Sequence, residues 1–498
     1  MHKFIIFAEF YTLYFLKLKK KRDKIGFDKL IVLLFLVIAM CFGFYFLPNK
    51  VFGLSIKRVD LLSDLRMNPI SLKIDSLRNE LNQQDTISVD TVIETEASAT
   101  MDSYAIVLRD SLYRIMNMDA GADSTGVRIE DNSKGHVGLK HFFDVLHNYK
   151  EQKRPVYIAF LGDSFIEGDI FVSDVRKSLQ KRFGGRGVGF VAINSIASDF
   201  RPNTEIKAKG WTRISALFHK DESYTLPEMF FRADTSEADF DIKLRKSHSL
   251  TDTASVFKLF YEKNKGANLT MTINDKDTLS PLLPQTDTLR EVVWTNKPFN
   301  KVSLRFTNIK ELRLLGVALE DQKGIVVDNY SLRGSSGIPL SKMDSAKGRS
   351  LNVIRPYDLI VLQYGLNVVQ DSIYNYNWYT SKMKKSIQCV RGSFPNADII
   401  LMGVSDRAFQ ENGTFKTMPS VMALLHAQRR AARSEGIPFW NVYGAMGGEN
   451  SMSKFVDKGW ASKDYTHMSF RGGREIAESF IKALLNEKKI YDQMDSIR

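Results

Sequence analysis

The run Val156-Tyr157-Ile158-Ala159-Phe160-Leu161 stops at Gly162-Asp163-Ser164 and gives way to a helical stretch, Val172 to Phe183. A short apolar run rich in β-branched and aromatic residues, closed by a turn tripeptide, reads as a buried strand. The same strand-then-helix step recurs downstream. A strand from Ile360 to Tyr364 precedes a helix from Asn377 to Arg391, and a strand from Asp398 to Met402 precedes a helix from Ser420 to Ser434. A short strand, Pro438 to Val442, and a last helix, Arg471 to Asn486, follow. Strands alternating with helices predict a parallel sheet covered on both faces. In such sheets sites gather beyond the carboxyl ends of the strands. Ser164 and Asn367 both fall there.

Ser164 is a nucleophile candidate, because the turn that carries it exposes a hydroxyl close to a predicted helix N-terminus, where backbone N–H groups favour negative charge. A serine hydroxyl needs a base within hydrogen-bond reach, and the base needs a partner to fix its tautomer. Asp464-Tyr465-Thr466-His467 supplies both from one turn. Alone, Gly-Asp-Ser is most often a turn or a helix cap, and Asp-x-x-His is equally bland. Two further segments give the pair meaning. Tyr357 to Tyr364 reads as a buried strand ending in Gly365-Leu366-Asn367, which places an amide at the strand's end. Ser331-Leu332-Arg333-Gly334-Ser335-Ser336-Gly337 follows another strand, Gly324 to Asn329, and offers a glycine N–H for close approach to a substrate.

These four blocks, Gly162-Asp163-Ser164, Gly337 or Gly334, Gly365-Leu366-Asn367 and Asp464-x-x-His467, resemble in order those of the GDSL-type esterases, or SGNH hydrolases. The resemblance covers roughly residues 135–200 and 320–490. It implies a three-layer α/β/α fold with Ser164 as nucleophile, His467 as base and Asp464 orienting it. It also implies an oxyanion hole from the Ser164 and Gly337 amides and the Asn367 side chain, with Gly334 as the alternate glycine. Two positions depart from the family: Val368 stands where an acid usually follows the asparagine, and Phe165 replaces the usual leucine or histidine. The long gap from Gly162 to Gly337 exceeds what one crossover needs. It looks like the bacterial peptidoglycan O-acetylesterases, which carry an inserted β-sandwich similar to a carbohydrate-binding module there.

The residues of that gap fit an antiparallel sandwich on their own terms. Alternating runs, Ala238 to Leu244, Ser255 to Tyr261, Leu269 to Ile273, Glu291 to Trp294 and Lys301 to Thr307, are parted by polar turns such as Asn274-Asp275-Lys276-Asp277. Trp211, Trp294, Phe230, Phe231 and Tyr261 are either core or sugar-stacking residues, and core is the commoner fate.

Upstream, Leu30 to Leu47 holds eighteen residues without a charge. At helical rise they span about 27 Å, enough for one membrane helix. Lys17, Lys19, Lys20, Lys21, Arg22, Lys24 and Lys29 precede it, so the N-terminus is expected on the cytoplasmic side. No small-x-small site follows, which favours an uncleaved anchor over a signal peptide. Residues 82–100 are rich in polar and acidic residues and read as a spacer, and 102–118 show some helical spacing. The expected organisation is a basic segment and anchor at 1–48, a linker at 49–130, the hydrolase domain at 131–204 and 319–490, and the inserted sandwich at 205–318. The resemblance places the catalytic domain in the periplasm, single-pass in a bacterial inner membrane.

Net charge of +13 comes partly from the cluster before the apolar run. No basic stretch carries interleaved aromatics, so nucleic acid is not an expected partner. The only cysteines, Cys41 and Cys389, leave no exported disulfide framework, since the first falls in the apolar run. His136, His141 and His147 lack ligand spacing, and neither metal nor cofactor is expected. Glu167, Asp169 and Arg407 read as solvated or as cleft-lining, and Asp163 as a turn or capping residue. The expected activity is hydrolysis of O-acyl groups on a cell-wall or envelope polysaccharide. An O-acyltransferase with the same triad and a non-catalytic glycan-binding protein are the alternatives.

Overall fold

The computed structural model describes residues 50–51, 54–55, 128–194, 200–246 and 250–495. Lys50–Val51 and Leu54–Ser55 form a two-stranded antiparallel pair within a unit of its own, residues 1–96. The apolar run Leu30 to Leu47, the spacer at 82–100 and the helical spacing at 102–118 lie outside the described residues. Among the described residues no helix is long and apolar enough to cross a membrane.

The second unit is built on a six-stranded sheet. Its order is Ile325–Ser331, Val156–Gly162, Leu359–Gln363, Asp398–Met402, Phe439–Trp440 and Ile129–Glu130. All neighbours run parallel except the last pair. Every residue of Val156–Gly162 and Leu359–Gln363 is buried, so both faces of the sheet are covered. The covering helices form two groups. Phe470–Asp495 packs on Val172–Phe183 and Lys140–His147, and Asn377–Ser393 packs on Ser345–Ile354 and Ser420–Glu435. The helix Asn377–Ser393 buries Tyr379, Met383, Ile387 and Val390, an i, i+4 stripe that explains its orientation. Phe160 of the second strand meets Phe171 and Phe480, edge-on to both.

Two antiparallel sheets interrupt this unit between Gly187 and Glu320. One runs Arg290–Phe299, Ala254–Glu262, Arg313–Glu320, Met229–Ala233, Trp211–Ser215, with Gly187–Val191 also pairing Arg313–Glu320. The other runs Asp277–Leu279, Asn268–Ile273, Lys301–Thr307, Glu237–Leu244, Thr204–Lys209. Phe257, Leu259 and Val317 of the first share one core with Phe240, Met271 and Phe306 of the second. Antiparallel pairing thus starts before residue 205 and includes Arg313–Glu320, which alternation alone assigned partly to the α/β part. Trp211, Phe230, Phe231 and Tyr261 are all buried, and Trp294 packs against this core. The four buried rings are not free to stack on a sugar, and Trp294 is half-buried.

The sheets meet across a buried ionic junction. Arg355 donates to Asp328 at 2.5 and 2.7 Å and to Glu320 at 2.8 Å, with all three side chains buried. Tyr157 and Tyr357 donate to Glu320 and Asp328. Burial alone raises a carboxyl's pKa, but the Arg355 guanidinium holds that of Asp328 below the ordinary range. A second buried group, Asp169 with Arg176, Arg201 and Asn329, ties the segment after Ser164 to its neighbours. Asp169 is therefore neither solvated nor cleft-lining.

Candidate active site

Gly162 lies in register with Ser331 on one side and Gln363 on the other. Three loops therefore leave adjacent parallel strands at one level: Asp163-Ser164, Leu332 to Gly337, and Tyr364 to Asn367. Asp163 ties the first to the third. Its carboxylate accepts from the Phe165 amide at 2.9 Å and from the Gly365 amide at 3.2 Å. Burial pushes this carboxyl up to about 6, against the pull of the Phe165, Gly365 and Leu366 amides. The α-helix begins at Val172, as the sequence predicts, and a 3-10 turn at Glu167–Asp169 stands between Ser164 and its N-terminus. Phe165 is buried against Phe171, which accounts for a bulky ring at that place.

His467 reaches Ser164 across 303 positions of chain, Nε2 to Oγ at 3.2 Å. Its Nδ1 lies 2.7 Å from Asp464 Oδ2. The other Asp464 oxygen accepts from the Thr466 and His467 amides at 3.0 Å each. One carboxylate thus closes its own turn and aims the ring. Burial would raise the Asp464 carboxyl, but these amides and the imidazole outweigh it and hold it below the ordinary range, so it stays ionised. The two side chains are 37% and 50% exposed, so the pair faces solvent.

Tyr465, inside this turn, is left-handed at φ 53°. Its ring stacks on Phe415 at 3.5 Å, and its carbonyl accepts from the Ala408 amide. Both partners come from a hairpin, Ala408–Glu411 with Thr414–Thr417, that the reading of the sequence missed. The signal was there: Asn412-Gly413 between two short alternating runs marks a two-residue hairpin turn.

The two candidate glycines stand in different surroundings. Gly337 is buried, its N–H is donated to Ser335 Oγ, and its carbonyl accepts from Ser386. At φ 76° it lies under Tyr364, 2.6 Å from where a Cβ would meet that ring. It shapes the loop from below. Gly334, exposed and left-handed at φ 89°, is the glycine on the surface of that loop. Asn367 is exposed and donates one of its two amide hydrogens to the Ser335 carbonyl at 2.9 Å. Val368 is buried, and its amide turns back to the Gly365 carbonyl, so the position of the missing acid belongs to the core.

Two charged residues stand differently from their reading, and a third was not read at all. Glu167 is buried and pairs with Arg333 at 2.6 Å, beside the serine turn. Arg407 donates to the carbonyls of Leu366 and Val369 and so braces the Asn367 loop. Glu228, unremarked in the sequence, reaches this region from the antiparallel part. No group of three metal-ligating side chains is found among the described residues. His141 instead faces Asp358, and His136 the Asp131 carbonyl.

Among known proteins, no family model and no curated sequence matches the chain. Solved structures do. A peptidoglycan O-acetylesterase aligns over 72% of this chain and 99% of its own, at 21% identity and a TM-score of 0.59. A salicylyl-acyltransferase from a tetracycline biosynthetic pathway aligns over 57% and 94%, at 14% identity and a TM-score of 0.28. A family two carbohydrate esterase from Cellvibrio japonicus aligns over 58% and 99%, at 8% identity and a TM-score of 0.24. The first likeness shows a shared fold, the mixed α/β fold that the four sequence blocks imply.

Proposed function

We propose that the protein is a serine esterase of the SGNH type that removes O-acetyl groups from an envelope polysaccharide, with peptidoglycan the favoured substrate. The observation that carries this reading is the continuous chain Asp464 Oδ2–His467 Nδ1 at 2.7 Å and His467 Nε2–Ser164 Oγ at 3.2 Å. It is a nucleophile, a base and an orienting acid within hydrogen-bond reach. The likeness in fold to a solved peptidoglycan O-acetylesterase supports the substrate class.

Ser164 Oγ attacks the acetyl carbonyl while His467 Nε2 takes its proton. The carbonyl oxygen becomes an oxyanion, received by the Ser164 and Gly334 amides and the free Asn367 amide hydrogen. The tetrahedral centre collapses, and the sugar oxygen leaves with the proton from His467. A water then gives its proton to His467 and attacks the acetyl-serine. Acetate leaves, and Ser164 recovers its proton. Asp464 stays ionised throughout and stabilises the imidazolium. The exposure of His467 and Asp464 supports hydrolysis over acyl transfer, because water has free access to the base.

We further infer that Leu30 to Leu47 anchors the chain, with the catalytic part outside the cytoplasm. The antiparallel sheets are read as an inserted sandwich akin to a carbohydrate-binding module. The test is acetate release from O-acetylated peptidoglycan and from O-acetylated xylan, with and without an added sugar acceptor, by the protein and by Ser164→Ala. Release that needs Ser164 and favours peptidoglycan is expected. Acetyl accumulating on the added acceptor, with little free acetate, would replace esterase by transferase.

A further inference from the structure

We propose that Glu228, carried by the antiparallel insert, is a positioning residue that sets both oxyanion-binding loops. The inference rests on the esterase reading and adds a role for the insert in catalysis itself.

Glu228 lies between the strands Trp211–Ser215 and Met229–Ala233, 3% exposed and left-handed at φ 54°. Its backbone is pinned at both ends. Its amide donates to the Thr225 carbonyl, and its carbonyl accepts from the Ala216 amide, each at 2.9 Å. The side chain leaves the insert and meets the hydrolase part with both oxygens. Oε2 accepts from Ser335 Oγ at 2.8 Å, and Oε1 accepts from the Tyr364 hydroxyl at 2.9 Å.

Each of these partners holds one wall of the site. Ser335 closes the turn that presents Gly334, its amide donating to the Leu332 carbonyl at 3.0 Å. Its carbonyl receives Asn367 Nδ2, and its hydroxyl oxygen receives the Gly337 amide. Tyr364 immediately precedes the Gly365-Leu366-Asn367 loop, and its ring covers Gly337. One carboxylate thus grips the glycine loop and the asparagine loop at once.

The choice of a carboxylate is informative. No lysine or arginine pairs with Glu228 among the described ion pairs. Burial pushes it up to about 7, with only the two hydroxyls pulling the other way. A group tolerated at such a cost has a chemical reason. When ionised the carboxylate only accepts, so both hydroxyl protons then point at it. Ser335 Oγ then keeps its lone pairs for the Gly337 amide, and the loop has one hydrogen-bonding pattern. A glutamine would present an NH2 to one of the hydroxyls and scramble that pattern.

The test uses a chromogenic acetate ester, which is too small to need the insert for binding. Glu228→Ala is expected to lower kcat about 10- to 100-fold, the scale for a misplaced catalytic group, with KM within about twofold. Ser335→Ala, which leaves the buried carboxyl in place, is expected to move kcat the same way should Glu228→Ala fold poorly. Glu228→Gln is expected to fall between wild type and alanine. In an Asn367→Ala background the Glu228→Ala effect should shrink at least several-fold, because one of the two groups it positions is gone and only the Gly334 loop remains to be set. A kcat within twofold of wild type for both Glu228→Ala and Ser335→Ala would overturn the proposal. So would an undiminished loss in the Asn367→Ala background, or a loss confined to KM. Turnover that survives Ser164→Ala overturns the esterase reading as well, whereas Ser164-dependent turnover indifferent to Glu228 overturns this inference alone.

Discussion

Replacing Arg355 with methionine tests how the two halves of the second unit are joined. The side chain is fully buried, stacks 4.6 Å from the Tyr157 ring and 5.5 Å from the Phe260 ring, and makes three hydrogen bonds to two buried carboxylates. Methionine keeps much of the stem and its packing and removes the charge. Asp328 then retains only the Tyr357 hydroxyl and the Phe190 amide. Glu320 retains the Tyr157 hydroxyl and Lys258 at 3.6 Å. Breaking a buried pair from one side costs about 3–5 kcal/mol, because it strands an uncompensated charge. The loss depends on pH in a defined direction. With Arg355 present, the depressed pKa of Asp328 contributes stability above the ordinary aspartate range, and this contribution fades as pH falls through it. Without Arg355 the stranded carboxyl takes up a proton in the folded state and is relieved at low pH. Urea unfolding followed by tryptophan fluorescence at pH 7.5 and pH 4.5 should show a difference from wild type of about 3–5 kcal/mol that narrows at the lower pH. A loss under about 1 kcal/mol at pH 7.5, or one equal at both pH values, would refute the reasoning.

Three further outcomes are expected. Asp464→Asn should lower kcat by about 10²- to 10⁴-fold through loss of imidazole orientation, with at most a small fall in the urea midpoint because the side chain is half exposed and an amide oxygen can still accept from the turn amides. Glu228→Gln should grow more stable relative to wild type as pH rises from about 4.5 to 7. The wild-type carboxyl, up from 4.5 to about 7 in the fold, is neutral below that window and costs about 3 kcal/mol above it, whereas the amide never ionises; parallel pH–stability curves would contradict this. Phe218 lies on the same insert segment as Glu228 and is 76% exposed, next to Leu217, which abuts Gly334. Phe218→Ala should weaken turnover of the O-acetylated polymer several-fold and leave the small ester untouched, as read from kcat/KM on each.

Local pattern was legible wherever a segment's own periodicity decided its structure. The strands Lys301–Thr307 and Asp398–Met402 and the helix Val172–Phe183 fall at the expected limits. Each is a run whose burial follows its own residues. Gly187–Val191 escaped because its glycines mask strand character. Gly187 and Gly189 are needed where the strand crosses Leu319 and Val327 at distances no Cβ tolerates. The blocks around Ser164, Asn367 and His467 were readable because each is short and contiguous. The choice between Gly334 and Gly337 was not, since it turns on whether a ring nearly thirty positions away covers one of them. Glu167 and Asp169 read as solvated or cleft-lining acids and Glu228 drew no reading at all, because nothing local distinguishes a solvated carboxylate from one whose partners arrive from another sheet.

The helix Phe470–Asp495 begins three residues after His467, and its first turn has no room to spare. A Cβ at Gly472 would fall 2.1 Å from the Trp460 carbonyl, and one at Gly473 would fall 2.1 Å from the Ile170 carbonyl, on the segment that follows Ser164. The base is therefore delivered to the nucleophile by backbone seated directly on backbone, at the far end of the chain. Ile476, Ala477, Phe480 and Leu484 of the same helix belong to the core around the parallel sheet, so the seat of the base is part of that core. The position of His467 relative to Ser164 is thus set by the packing of this helix, and a larger residue at Gly472 or Gly473 would displace the imidazole without altering any of the three side chains Ser164, His467 and Asp464.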